Sequence, residues 1–533
     1  MKRWNGWGEE SVDYPLPDSA QAYLVGHLDE GLRLEDASLE QVLASVPLTR
    51  LPPHPLVVTH PMERLRHARG QSLPDWVALR SGNIGAFPDG VAYPDSEGDV
   101  GALLDYARSV GAKVIPYGGG TSVVGHITPL FGDAPVLTID LSHMKRLLSL
   151  EKSGCLATFE AGITGPEIEE QLNEGGYTLG HFPQSFELST LGGWLATRSC
   201  GQQSYFYGRI EDLFAGGRVI TPGGVLELPL HPASAAGPDV RHLILGSEGR
   251  LGVITQATVR LSPLPDTESF FAAFFHNWEQ GVSAVREIAQ ARIGVSMLRM
   301  SNATETTSIL ALSGKDSLVR WARSGLQALG YTDDRCMLIF GVTGTPRSAR
   351  HAYRQASAVI RHHRGLLVGT MIGRLWRKSR FSAPYLRNTL WERGYALDTL
   401  ETAAPWTVVQ PLAEAVLSAL QDGLEPEGER VLAFAHLSHL YPDGASLYFM
   451  FIYRRAFEPE GTLRRWQCLK RAASELIVKY GGTISHQHGV GLDHAQYLAA
   501  EKGSQGMHTL EAVCKSLDPD GMMNPGKLLI GQS

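Results

Sequence analysis

The 533-residue chain is short of several things, and each shortage removes a class of function. Cysteine is scarce. The five residues Cys155, Cys200, Cys336, Cys468 and Cys514 are scattered and odd in number, with no C-x-x-C spacing. That excludes a disulfide scaffold and a cysteine zinc ribbon, and it predicts a reducing, cytoplasmic setting. No apolar run reaches the length of a membrane-spanning helix. The opening Met1-Lys2-Arg3-Trp4-Asn5-Gly6-Trp7-Gly8 lacks the apolar core of a signal peptide, and Gly531-Gln532-Ser533 is not a peroxisomal tripeptide. Positive charge is not in excess: the net charge is −7, so there is no basic footprint for nucleic acid. Internal repeats and low-complexity tracts are missing. What remains, 43% hydrophobic residues with mixed charge, describes a globular chain of about two or three domains.

Glycine, by contrast, is concentrated where it matters. Gly118, Gly119 and Gly120 follow the apolar segment Val114-Ile115-Pro116-Tyr117 and precede Thr121-Ser122. Three residues without Cβ let several backbone N–H groups converge on one anion, and two hydroxyls stand at the mouth. The loop reads either as a phosphate cradle or as a surface turn. It is not a G-x-G-x-x-G fingerprint opening a helix, and no G-K-[ST] follows. Asp99 is expected to cap a preceding helix carrying Val100, Leu103, Ala107 and Val110, with Gly111 at its end. Strands are expected at Val91–Tyr93 and Val136–Leu141. The cradle then lies between strands, so backbone amides alone would hold the anion.

The pattern divides the chain into four parts. Residues 1–85 are helical and interrupted by proline. Residues 86–265 alternate short strands and helices, with a capping box at Thr164-Gly165-Pro166-Glu167 and a strand at Val253–Val259. Residues 266–470 open with Phe270, Phe271, Phe274 and Phe275. They contain a hairpin of Leu432–Leu440 and Ala445–Tyr453 around Tyr441-Pro442-Asp443-Gly444. Residues 471–533 are helix, a histidine-containing strand or loop, and helix.

Several residues carry chemistry. Tyr448 lies on the second hairpin strand, as a proton carrier or as a core tyrosine with a satisfied hydroxyl. On a strand, His486 and His488 of His486-Gln487-His488-Gly489 point to one face and suit proton transfer or oxyanion stabilisation. A metal reading would add His494, but no carboxylate or cysteine completes it, and no metal is expected. Arg387 suits bidentate grip on a phosphate, or a surface ion pair with Glu392. Arg299 is a second candidate. Arg374-Leu375-Trp376-Arg377-Lys378-Ser379-Arg380-Phe381 reads as a solvated basic loop or as a contact for anionic lipid.

Four segments rich in Gly, Ser and Thr recur in order: Pro116 to Ser122, Gln184 to Thr190, Thr197 to Gly201, and Gly246 to Ile254. Together with Glu160-Ala161-Gly162-Ile163-Thr164-Gly165, Tyr207-Gly208-Arg209-Ile210-Glu211-Asp212-Leu213 and Leu400-Glu401-Thr402-Ala403-Ala404-Pro405-Trp406, they resemble a flavin-binding superfamily, that of vanillyl-alcohol oxidase and p-cresol methylhydroxylase. Within it, the chain is similar over nearly its whole length to the alkyldihydroxyacetonephosphate synthase family of ether-lipid synthesis.

The resemblance implies an α+β architecture: a two-subdomain FAD-binding fold with an α+β substrate cap on an antiparallel sheet. It implies FAD held by Pro116, Tyr117, Gly118, Gly119, Gly120, Thr121, Ser122, Gln184, Ser185, Ser189, Thr190, Thr197, Arg198, Ser199, Cys200, Glu248, Gly249, Leu251, Gly252, Val253 and Ile254. Covalent members often carry a histidine directly after the glycine run. Thr121 stands there, which predicts noncovalent FAD, with His126 an ordinary loop histidine. Tyr448 would carry protons with His486 and His488, and Arg387, with Arg299 second, would bind substrate phosphate. The substrates implied are acyl-dihydroxyacetone phosphate and a long-chain alcohol, with peripheral membrane contact and a homodimer compatible with that role. Gln487 departs from a triple histidine of the family. The rival on the same scaffold is an FAD-linked oxidase or dehydrogenase of a 2-hydroxy acid or alcohol. A third reading is a flavin-binding protein without turnover.

Overall fold

A computed structural model describes residues 2–312 and 325–529. Three sheets carry the fold. The first has four strands in the order Val57–Val58, Gly90–Ala92, Val136–Asp140, Lys113–Tyr117. Its last three strands run parallel, and only the short first one is antiparallel. Pro116, which has no N–H to give, sits on the end strand, where no further strand of that sheet needs one. The helix Glu97–Ser109 joins two of these strands and buries Val100, Leu103, Leu104 and Ala107. Its cap is Ser96 rather than Asp99. The Ser96 hydroxyl accepts from the Asp99 N–H, and Asp99 instead accepts from Ser96 as the acidic partner of the first turn. Gly111 ends the helix at φ +66°.

The second sheet has five antiparallel strands: Leu147–Glu151, Leu156–Glu160, Val253–Arg260, Phe214–Thr221 and Gly224–Leu228. The helix Gly165–Glu174 follows the strand Leu156–Glu160, with the Thr164–Glu167 capping box formed as the sequence predicts.

The third sheet has seven antiparallel strands in the order Leu366–Leu367, Thr267–Phe275, Cys336–Gly344, Met297–Ser301, Val431–Leu440, Gly444–Arg454, Tyr395–Pro405. The two-residue side-chain period gives it two distinct faces. One face (Ala273, Leu298, Met300, Phe340, Leu400, Leu447, Phe449, Phe451) joins the largest buried cluster, covered by the helices Trp278–Gln290, Pro346–His362, Trp406–Asp422 and Pro459–Lys479. The other carries Met297, Arg299, His436, Tyr448, Met450, Leu397 and Thr399. The phenylalanines at the start of this region divide between the faces: Phe275 joins the helix-covered core, whereas Phe270 and Phe274 pack with Met297 and Ile339.

The N-terminal residues do not stand apart. The helix Asp18–Leu28 packs Leu24 and Leu28 against Leu390, Leu432 and Ile452, and Trp76 joins the seven-stranded core. The basic stretch is not a loop. Met371–Ser379 is a helix, with Trp376 turned inward onto Phe270. No helix of the described residues is long and apolar enough to cross a membrane.

Candidate active site

The polar face of the seven-stranded sheet and the glycine loop enclose one cavity of about 380 Å³. The loop forms one wall because its glycines permit contacts no other residue could make. A Cβ on Gly119 would lie 1.8 Å from the Leu188 carbonyl oxygen, and Gly120 has φ +71°. Pro116, Tyr117, Gly118, Gly119, Gly120, Thr121 and Ser122 line the cavity together with Gln184, Ser185, Ser189, Thr190, Thr197, Ser199, Cys200, Glu248, Gly249, Gly252 and Ile254. Four segments distant in sequence therefore meet at one cleft. Three expected members do not reach its surface. Leu251 and Val253 are buried in the core behind it, and Arg198 turns toward Glu211 at 3.5 Å.

The sheet face supplies the opposite wall. Antiparallel pairing sets Tyr448 directly opposite Glu401 on one neighbouring strand and His436 on the other. The His436 and Tyr448 rings stack with centroids 5.0 Å apart, and His488 meets the Tyr448 ring edge-on at 5.7 Å. Burial raises the Tyr448 phenol well above its ordinary pKa, so it is held protonated. Burial lowers His488 and His436, so both imidazoles are held neutral. A protonated phenol in ring contact with two neutral imidazoles brings together residue types suited to proton transfer.

His486 and His488 do not share a face. Residues 485–489 form a turn without strand pairing. The amides of Gln487 and His488 both point at the Glu401 carboxylate, at 2.5 and 2.9 Å, and that geometry bends the chain. His488 and Gln487 face the cavity, whereas His486 lies behind it. There its Nε2 bonds the Tyr441 hydroxyl at 2.6 Å and Arg209 Nη1 at 2.7 Å, and its ring stacks on His439 at 5.1 Å.

Arg387 is half-buried, and desolvation lowers the pKa of its guanidinium. The group lies over the Trp76 ring at 4.6 Å, and Nη1 donates to the Gln71 carbonyl. Nε and Nη2 have no hydrogen-bond partner among the described residues, and Arg387 lines the cavity. No ion pair with Glu392 forms among the described residues. Arg299 also lines the cavity but is committed: Nη2 donates to Glu305 at 2.8 Å and lies 3.3 Å from His436 Nδ1. Burial pushes Glu305 upward, yet the Arg299 guanidinium and the hydrogen bond with His436 Nδ1 at 2.9 Å outweigh it and hold the carboxylate below its usual range.

Residue-by-residue reading missed His436, Ser438, His439 and Thr399, all of which line the cavity, and Glu401 beneath it. The alternation along the hairpin held the signal, since His436 and Ser438 share the parity of the strand's cavity face. Met297, Trp376, Leu386, Leu397 and Met450 make one end apolar.

These residues fit a flavin dinucleotide. A cleft floored by glycine backbone and rimmed by the hydroxyls of Thr121, Ser122, Thr190 and Thr197 suits a pyrophosphate and a polyol. The comparisons agree. A family model described as an FAD binding domain matches residues 88–228, and one described as the C-terminal domain of FAD linked oxidases matches 264–528. An alkyldihydroxyacetonephosphate synthase of Dictyostelium discoideum is 31% identical over 88% of this chain and 77% of its own length. A solved structure of an alkyldihydroxyacetonephosphate synthase superposes with a TM-score of 0.85 at 26% identity, covering 98% of each chain. A p-cresol methylhydroxylase structure shares the fold at a TM-score of 0.67 and 14% identity, covering 89% of this chain and 94% of its own.

Proposed function

Because this chain belongs to the alkyldihydroxyacetonephosphate synthase family, we propose that it exchanges the acyl group of acyl-dihydroxyacetone phosphate for a long-chain alcohol, forming an ether. FAD is its cofactor. The chemistry the flavin supplies when bound is a reversible electron sink beside the reacting carbon. In this reading it is held without a covalent bond. Thr121 occupies the place after the glycines, and the His126 ring lies 2.8 Å from Ser122 Oγ through Nδ1 and 3.1 Å from Glu248 through Nε2. The division into 86–265 for the cofactor, 266–470 for the cap and 471–533 closing the site belongs to the same reading.

The observation that carries it is Arg387. A cation with two shielded, uncommitted N–H donors needs an anion, and a phosphate monoester suits its planar fork. Bound there, the phosphate would set the sugar carbons against the Tyr448 wall. Tyr448 gives and takes the proton at the carbon that loses its carboxylate, and neutral His488 and His436 accept the phenol proton in turn. His486 supports this from behind, through Tyr441 and Arg209. Met297, Trp376, Leu386, Leu397 and Met450 line the acyl and alkyl path, and their burial excludes water that would hydrolyse the ester.

The helix Met371–Ser379 turns Trp376 to this path and leaves Met371, Arg374, Leu375, Arg377 and Lys378 exposed. That surface fits peripheral contact with anionic lipid. Failure of the protein to float with anionic vesicles would remove that part. The central test is anaerobic flavin bleaching. Acyl-dihydroxyacetone phosphate is expected to bleach the flavin and D-lactate is not. The reverse would favour a hydroxy-acid dehydrogenase.

A further inference from the structure

Two buried carboxylates from opposite walls of the cavity hold the turn that carries His488. Glu401, on the strand beside Tyr448, accepts from the N–H groups of Gln487 and His488. Glu248, in the fourth cofactor-side segment, accepts from Val490 N–H at 2.5 Å through Oε1 and from Gly491 N–H at 2.8 Å through Oε2. No lysine or arginine neutralises Glu248 among the described residues. Its close charged-type neighbour is His126 Nε2, at 3.1 Å. Amide donors are what hold such a buried carboxylate.

Glu248 also reaches the glycine loop. His126 Nδ1 lies 2.8 Å from Ser122 Oγ, and the same hydroxyl accepts from the His126 N–H at 3.0 Å. Asn524 locks the pair by donating to the carbonyls of His126, at 3.1 Å, and of Glu248, at 2.7 Å. Close packing leaves no slack. A Cβ on Gly489 would lie 2.7 Å from His126 Nε2 and 2.9 Å from Glu248 Oε1. An unbroken set of short contacts therefore runs from Ser122 through His126 and Glu248 to the 490–491 amides, two residues from His488.

We propose that Glu248 is a positioning residue that couples cofactor occupancy at the glycine loop to the order of the 487–491 turn. The part of the turn that follows His488 is then tightened in the loaded enzyme. Glu401 fixes the same turn from the substrate wall independently of the cofactor. The side chain of Glu248 thus serves the catalytic turn rather than the flavin. The proposal rests on the reading of the glycine loop as the FAD phosphate cradle.

The test is hydrogen exchange of the peptide spanning 484–492, read by mass spectrometry in the full-length protein stripped of FAD and again after reconstitution. Flavin uptake is measured separately by absorbance. In the wild type, FAD is expected to slow exchange of the 490–491 amides by about tenfold. Glu248→Gln, measured at FAD concentrations that saturate it, should show less than about a twofold effect, as should His126→Gln, which serves if the first variant does not fold. Glu401→Gln should speed exchange at 487–488 in both states while keeping the FAD effect at 490–491. Equal exchange of the wild type with and without FAD, or full FAD-dependent protection in Glu248→Gln, would overturn the coupling. Failure of the wild type to take up FAD would instead overturn the cofactor reading beneath it.

Discussion

At the scale of single residues, Tyr448 and Arg387 divide the work between chemistry and binding. Both line one cavity, but their partners differ. Tyr448 touches imidazoles that are held neutral, whereas Arg387 keeps donors free. Tyr448→Phe is expected to lower kcat by about 100-fold or more, with KM and flavin content unchanged, because only proton transfer is removed. Arg387→Met should instead raise KM for acyl-dihydroxyacetone phosphate by about 10- to 100-fold. Steady-state kinetics with varied substrate separates the two; a kcat effect of equal size in both variants would contradict the division. Arg387 and Tyr448 were legible in the sequence only through the family pattern, because an isolated arginine or a strand tyrosine has ordinary structural uses. His436 was not found, although hairpin alternation places it directly opposite Tyr448. The role of His486 was misplaced for a physical reason. Two histidines at alternate positions share a face only on an extended strand, and the Glu401 carboxylate gathers the amides there into a turn.

At the scale of elements, glycine and capping signals were read well, and irregular segments poorly. The capping box at Thr164, the end of a helix at Gly111 and the 431–454 hairpin all formed near their expected bounds, since each depends on local dihedral preference. The cap at Ser96 was misassigned because serine and aspartate three residues apart bond each other reciprocally, and either can be read as the cap. The helix Met371–Ser379 was read as a loop because its charges conceal the inward Trp376. The glycine loop tests the element most sharply. Gly119→Ala places a methyl group against the Leu188 carbonyl and must separate the first and second cofactor segments. Its FAD affinity, read by flavin fluorescence, should fall at least tenfold, on the order of 1.4 kcal/mol. Unchanged affinity would show that the loop does not hold the cofactor.

At the scale of the whole molecule, the site lies where the cofactor-side sheets meet the polar face of the seven-stranded sheet. The interior carries an unusual load of neutral histidines. Burial lowers His181 and His439 to about 3 and also depresses His436, His486, His488 and His494. Each takes up a proton near pH 6.5 once unfolded, so the unfolded chain binds more protons in the window from 6.5 down to the folded values. Stability should therefore fall on acidification, by roughly 1.4 kcal/mol per pH unit for each fully shifted histidine. Asp493, raised to about 7 by burial, and Glu169, also raised by burial, act in the opposite direction but are two groups against six. Urea midpoints of the holoenzyme between pH 7.5 and 5.5 should decrease steadily; a flat or rising profile would contradict this electrostatic account. Fold and cofactor were legible in the sequence because four segments rich in Gly, Ser and Thr must recur in order to surround one dinucleotide. The substrate was less so, because its recognition falls to a few side chains brought together from distant strands.

The central claim is exchange without net oxidation. Its most direct measurement is an anaerobic incubation of the holoenzyme with palmitoyl-dihydroxyacetone phosphate and hexadecanol labelled with ¹⁸O in its hydroxyl. The account predicts an alkyl ether of dihydroxyacetone phosphate that retains the label, released palmitate free of it, and flavin in the same oxidation state at the end as at the start. Absence of the ether, or flavin left reduced in proportion to substrate consumed, would contradict it.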